Sequence, residues 1–193
     1  MTSVITRSRY TLSLNATVKV DRMARQLWLL RHGDAEPHGT RADAQRRLTA
    51  RGERQAHAAG VAISRLAGAF DEVLFSPRER ARRTAELAAE GWSAQQRAAL
   101  REHPPLAGGF DVVEALDALA GVPADSGRLL LVGHEPDFSG IVRELTGSQI
   151  DLKKGGLAVV RLEGAGGELV GELVVLLRPR ELGLIAGIPV DRH

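Results

Sequence analysis

Two runs of four apolar residues, Leu27-Trp28-Leu29-Leu30 and Leu129-Leu130-Leu131-Val132, constrain this chain more than any other feature. A strand with one face in water alternates apolar and polar residues. An unbroken apolar run of strand length therefore calls for burial on both faces, as in the central parallel strands of an α/β sheet. Both runs stop on a polar turn that carries a histidine: Arg31-His32-Gly33 after the first, Gly133-His134-Glu135-Pro136 after the second. Open parallel sheets bind ligands beyond the carboxyl ends of their strands, so two histidines are expected to face one crevice.

Helical signals fill the space between these strands. Thr49 is a cap for a helix whose apolar positions Ala56, Ala59, Val61, Ile63 and Leu66 run to about Ala67. A short strand over 71–75 follows, and Ser76-Pro77 suits the start of a helix with Ala81, Ala85, Leu87 and Ala88 inward, ending at Gly91. Further helices are expected near 110–120 and from about Asp137 to Leu145, the latter stopping at Gly147. Residues 157–162 and 169–177 flank the turn-rich 163–167, which reads as an antiparallel hairpin. The alternation predicts a three-layer α/β sandwich whose sheet is mostly parallel, with an antiparallel element near its end. One domain is expected over 26–193, preceded by an extension, 1–25. In that extension Leu12, Leu14, Ala16, Val18 and Val20 alternate. It reads as an edge strand, as disordered chain, or as sequence upstream of a start at Met23, and the residues leave these open.

Composition excludes several classes of function. At 193 residues and 44% hydrophobic the chain supports one substantial core. With no cysteine, disulfides and thiolate chemistry are ruled out. No apolar run approaches the roughly 18 residues of a membrane span, and the first residues lack the apolar centre of a secretory signal, so a soluble cytoplasmic protein without a membrane partner is the expectation. The net charge of +2 hides an asymmetry: residues 1–26 carry five Lys or Arg against Asp21 alone, leaving the remainder at −2. With one Tyr and two Trp, the chain also lacks the aromatics of a base-stacking platform, and no nucleic-acid partner is expected.

Ser76, Arg78 and Arg80 follow a third strand, so Arg80 should reach the end of the sheet that carries His32 and His134. An anion suits such a crevice, because arginine's planar fork donates two hydrogen bonds to phosphate oxygens and helix N-termini add partial positive charge. Plain alternatives exist. Each histidine turn, taken singly, also reads as an ordinary loop, and His32 and His134 with Asp34, Glu36 or Asp137 offer ligand types for a metal, although no i,i+4 histidine pair supports that.

Taken together, the motifs resemble the histidine phosphatase superfamily, also called the phosphoglycerate mutase-like family. Arg31-His32-Gly33 matches the family's opening signature, residues 48–56 its Leu-Thr-x-x-Gly-x-x-Gln-Ala segment, residues 76–85 its Ser-Pro-x-x-Arg-Ala-x-x-Thr-Ala segment, and Val132-Gly133-His134-Glu135-Pro136 its distal histidine. Four motifs in the right order, over about residues 26–177, are far more specific than any one of them. The resemblance implies that His32 accepts the phosphoryl group on nitrogen and yields it to water, with Arg31, Arg80 and His134 holding the phosphate oxygens and neither metal nor cofactor required. Activity should then survive a chelator. Arg46 is similar in position to a further pocket arginine of SixA-type phosphohistidine phosphatases, with Arg47 its immediate competitor.

The short chain and the Arg-His-Gly-Asp-Ala opening also resemble SixA-type proteins. Larger relatives carry an acid between the Arg80 and His134 segments to protonate the leaving oxygen. Here that stretch reads His103-Pro104-Pro105-Leu106-Ala107-Gly108-Gly109, with Glu102 nearby and with Asp111, Glu114 and Asp117 better explained as a solvated helix face. A missing acid matters less for an imidazole leaving group, which points to a phosphohistidine-bearing protein as substrate. Two alternatives stand beside it. One is a small-molecule phosphomonoesterase with Glu36 or Glu102 as candidate proton donor, and the other a phosphate-binding module without turnover.

Overall fold

The structure, a computed structural model, describes residues 24–164 and 170–190. The readings of 1–23, and most of the expected hairpin turn, lie outside these. Among the described residues six strands form one sheet: β1 (Arg25–Arg31), β2 (Glu72–Phe75), β3 (Leu100–Glu102), β4 (Arg128–Gly133), β5 (Leu157–Glu163) and β6 (Val170–Leu177). Their order is β3-β2-β4-β1-β5-β6, the first four parallel and β5 antiparallel to both of its neighbours. The helices are α1 (Ala50–Ala67), α2 (Glu79–Ala89), α3 (Ala94–Ala98), α4 (Val112–Ala120), α5 (Asp137–Thr146) and α6 (Pro179–Ala186).

The two apolar runs are the middle of the sheet, and no residue in them is more than 5% exposed. Successive side chains point to opposite faces, which divides the core in two. Trp28 and Leu30 pack with Ala59 and Ile63 of α1, Ala88 of α2 and Leu182 of α6; Leu27 and Leu29 pack with Leu119 of α4 and with Phe138 and Ile141 of α5. Full burial of such side chains is worth roughly 1.5–3 kcal/mol each, which is why these strands cannot lie at an edge. The result is the expected three-layer α/β sandwich.

Of the three elements outside the expected alternation, two leave no pattern in the sequence. The edge strand β3 is only Leu-Arg-Glu and pairs with β2 alone, so it has no apolar run to betray it. Helix α3 is five residues held by a Ser93–Gln96 capping box. Helix α6, by contrast, carries readable signals, with Pro179 in its first turn, Glu181 at the third position and Gly187 beyond its end. Helix α2 starts at Glu79, after Ser76-Pro77, with Arg78 in the extended capping conformation.

Register places the site. Arg31 pairs with Gly133 and Phe75 with Val132, so His32, His134 and Ser76 each emerge one residue beyond the last pairs of three adjacent strands. His32 N–H donates to the Gly133 carbonyl (3.0 Å) and Ser76 N–H to the Val132 carbonyl (3.0 Å), continuing the ladders into the loops.

Candidate active site

The loop after β1 is held from several sides. Gly33 N–H donates to Thr84 Oγ1 (3.1 Å), whose hydroxyl donates to the Arg80 carbonyl (2.7 Å), tying the loop to α2. Asp34 N–H donates to Gln55 Oε1 (2.8 Å), and Thr49 Oγ1, the cap of α1, donates to the Asp34 carboxylate (3.0 Å). Gly33 and Gly52 face one another across this junction: a Cβ on Gly52 would stand 1.9 Å from the Asp34 carbonyl oxygen, and one on Gly33 2.5 Å from that of Gly52. Only glycine permits backbones this close. On the opposite side Gly155, at φ +71°, donates its N–H to the His32 carbonyl (2.8 Å).

His32 is buried, 6% exposed, and its tautomer follows from its partners. Arg80 Nε, always a donor, points at His32 Nε2 (3.1 Å), so Nε2 must accept; Nδ1 then carries the proton and donates to the Gly33 carbonyl (2.7 Å). His134 stands beside it, the ring centroids 5.1 Å apart. Its Nε2 lies 2.8 Å from Ser76 Oγ, which also accepts from Arg78 N–H (3.2 Å). A fully buried hydroxyl needs an acceptor for its own proton, and His134 Nε2 fills that role. The proton of His134 therefore sits on Nδ1, which is buried and has no partner.

Arg80 is 3% exposed and donates from Nη1 to the Asp43 carbonyl (2.7 Å) and from Nη2 to the Asp43 carboxylate (3.3 Å). Asp43 also accepts from Arg46 Nε (2.9 Å) and from Arg78. Burial works to raise its proton affinity, but the Arg46 hydrogen bond and the charges of Arg80 and Arg78 win and hold the carboxyl below its usual range. Arg46 is buried and lines the pocket while Arg47 is exposed, which decides between these neighbours. Arg31 is half-buried and donates from Nη1 to the Leu152 carbonyl (2.8 Å), its Nε buried without a partner. The cleft that these side chains line has a volume of about 840 Å³.

The acids sort clearly. Glu36 lies on the pocket wall, but its carboxylate accepts from the Arg47 N–H (2.9 Å) and from Arg41 Nε (2.8 Å), and these hold it in the anionic form, which suits an acceptor and not a proton donor. Glu102 is exposed at the end of edge strand β3 and does not line the cleft, because the chain turns away there into the 3-10 turn over 104–107. Asp111 and Glu114 form the capping box of α4. The half-buried Glu135, next to His134, is the acid that sequence reasoning missed. It lines the cleft, its Oε2 accepts from Ser139 Oγ, its Oε1 is buried without a partner, and burial raises its proton affinity. Asp43 was equally invisible, since only the 3-10 turn over 43–45 carries it to the arginines. Among the described residues no three His, Cys, Asp or Glu side chains converge as metal ligands.

Burial holds His32 down to about 3 and His134 to about 2, with neighbouring cationic groups adding to the effect. Unfolded histidines titrate near 6.5, so below that pH the unfolded chain binds protons that the folded chain refuses, and stability falls as pH falls. Each such proton contributes about 1.4 kcal/mol per pH unit once the unfolded histidine is protonated. The thermal midpoint should drop steadily from pH 7 to pH 5, and His32→Ala should shallow that slope. A midpoint that is flat over this interval would contradict the buried neutral pair.

This arrangement gathers Arg31, Arg46 and Arg80 around a buried, uncharged imidazole, an environment in which an oxyanion would find donors. The sequence profile of the histidine phosphatase superfamily (branch 1) matches residues 27–105. A protein of Picosynechococcus sp. strain PCC 7002 with no characterised function is 31% identical over 169 residues, covering 81% of this chain and 98% of that one. The chain belongs to the histidine phosphatase superfamily. Among solved structures it is similar to the putative phosphohistidine phosphatase SixA from Nakamurella multipartitia (30% identity, TM-score 0.67, covering 81% of this chain and 96% of that one). It is also similar to a protein histidine phosphatase SixA complexed with tungstate (25% identity, TM-score 0.66, covering 81% and 99%). These neighbours share the phosphoglycerate mutase-like fold, and family and neighbours together support phosphatase activity.

Proposed function

We propose that this protein dephosphorylates phosphohistidine on proteins through a covalent intermediate on His32, without a metal. The observation that carries the reading is the tautomer of His32: with the proton fixed on Nδ1 by the Gly33 carbonyl, the Nε2 lone pair faces the arginine cluster. In the first step Nε2 bonds to phosphorus as the bond from phosphorus to the substrate imidazole breaks, and the leaving nitrogen takes up a proton. In the second, water attacks phosphorus, the bond to His32 breaks, and inorganic phosphate leaves. Arg31, Arg80, Arg46 and the Nδ1–H of His134 donate to the phosphoryl oxygens, and Arg80 transfers its hydrogen bond from His32 to oxygen as phosphate arrives. Residues 26–193 serve as the catalytic domain. Similarity to a SixA protein that holds tungstate, a tetrahedral oxyanion, supports this use of the cleft.

A second reading, a small-molecule phosphomonoesterase, is favoured by Glu135, because a half-buried carboxyl with raised proton affinity beside the distal histidine is what an alkoxide leaving group needs. The test compares kcat/KM for a phosphohistidine protein and a panel of phosphomonoesters, in chelator, for the wild type and Glu135→Gln. The expected outcome is preference for phosphohistidine, a loss of about 10²-fold in ester turnover in Glu135→Gln, and a much smaller loss on phosphohistidine. Preference for esters in the wild type transfers the assignment to the second reading, and activity lost to the chelator rejects the metal-free mechanism.

A further inference from the structure

Beside the phosphate cleft lies a second concavity of about 600 Å³, and its lining is unbalanced in charge. Six cationic side chains face two carboxylates in the lining, with a third, Asp151, at the rim and paired with Lys153, and both lining carboxylates already have internal work. Asp34 is paired with Lys154 (2.9 Å) and Thr49 (3.0 Å), and Glu181 accepts the N–H of Arg178 at the start of α6 (2.9 Å). Elsewhere on the surface arginines are met by carboxylates: Arg82 by Glu79, Arg83 by Glu53 and Glu86, Arg161 by Glu172. Here, among the described residues, no carboxylate lies within ion-pair distance of Arg51, Arg178 or Arg180, and Arg51 Nε is buried without a hydrogen-bond partner. A buried donor left unmade is unfavourable, so these groups stand ready for an acceptor from outside. The first turn of α6 lines the same wall and adds partial positive charge.

Arg31, Asp34 and Lys154 line both concavities, so a group seated in one is continuous with a group seated in the other. Small-ligand sites enclose most of their ligand. In this one Lys153, Lys154, Arg178 and Arg180 are exposed on long side chains around an open mouth, which suits a protein surface. We infer that this concavity is a second anion subsite that takes Asp and Glu side chains of the substrate protein flanking its phosphorylated residue. It rests on the phosphohistidine reading for the identity of the substrate but not for the binding itself, and it makes recognition of the protein depend on acidic neighbours of the phosphorylated residue.

The test uses the full chain and the triple variant Lys153→Gln, Arg178→Gln, Arg180→Gln, all exposed positions outside the phosphate cleft, with unchanged thermal midpoints as the folding control. A dye-labelled polyglutamate peptide should bind the wild type, more weakly as salt rises, and bind the variant about tenfold more weakly, since each exposed pair contributes modestly. On a phosphohistidine protein with acidic flanks the variant should raise KM about tenfold at unchanged kcat, while KM for a small phosphoramidate stays put. If polyglutamate does not bind the wild type at low salt, or binds the variant equally, the subsite is overturned whatever the substrate. If pyrophosphate competes for these residues and the peptide does not, the occupant is a second phosphate and the inference is likewise overturned. Peptide binding without any turnover of phosphohistidine rejects the phosphohistidine reading and leaves the subsite standing.

Discussion

His32→Ala is expected to lower kcat by about 10⁴-fold or more, because in the proposed mechanism it removes the nucleophile and with it both chemical steps at once. The same position supplies the direct demonstration: wild-type protein quenched during turnover should carry one phosphoryl group on the peptide that contains His32, seen by mass spectrometry, and His32→Ala should carry none. The substitution is well chosen physically. His32 makes its hydrogen bonds to the Gly33 carbonyl and Arg80, while Gly33 N–H, Asp34 N–H and the His32 backbone are anchored to Thr84, Gln55, Gly133 and Gly155 independently of the ring. The loop therefore keeps its course when the imidazole is removed, and circular dichroism should be unchanged. Label found on His134, or turnover retained in His32→Ala, would reject the covalent mechanism.

Arg80→Lys is the second large effect, a loss of about 10²–10³-fold in kcat, the size seen when one donor to a developing oxyanion is removed. Lysine keeps the charge but not the fork, and Arg80 uses all of the fork: Nε to His32, Nη1 and Nη2 to Asp43. A single ammonium cannot hold the Asp43 carbonyl and also meet His32 Nε2. Because Asp43 also gathers Arg46 and Arg78, the loss should extend to product binding, with inorganic phosphate inhibiting the variant less strongly than the wild type. Wild-type kcat in Arg80→Lys would mean that charge alone suffices and that the hydrogen-bond geometry is incidental.

Much of this site is written locally. The apolar runs ending in Arg31-His32-Gly33 and Gly133-His134, and the Ser76 to Arg80 segment after β2, place three loops at the carboxyl ends of parallel strands. The glycines of two motifs have a shared explanation visible only in three dimensions, since Gly33 and Gly52 lie against each other's loops. Arg46 was already indicated by its place in the motif, and its burial beside the exposed Arg47 agrees with that; the position of Glu102 away from the cleft, the contacts of Asp43 and the candidacy of Glu135 were not legible, because each depends on which way an irregular segment turns.

Local pattern sets the layers of this protein: burial periodicity depends on neighbours within a few residues, and two uninterrupted runs of four apolar residues in β1 and β4 allow only a central, doubly covered pair of strands. The same local pattern brings imidazoles and arginines to one end of that pair. Long-range packing alone sets the tautomer of His32, the bare Nδ1–H of His134, the anchoring of three arginines, Arg46, Arg78 and Arg80, by Asp43, and the second basic concavity formed by α1, α6 and the 153–154 loop. The reason is that hydrogen-bond partners and shared cavities join residues far apart in the chain, as Arg80 joins His32 and Lys154 joins Asp34, and no local pattern encodes which distant group will complete a polar side chain.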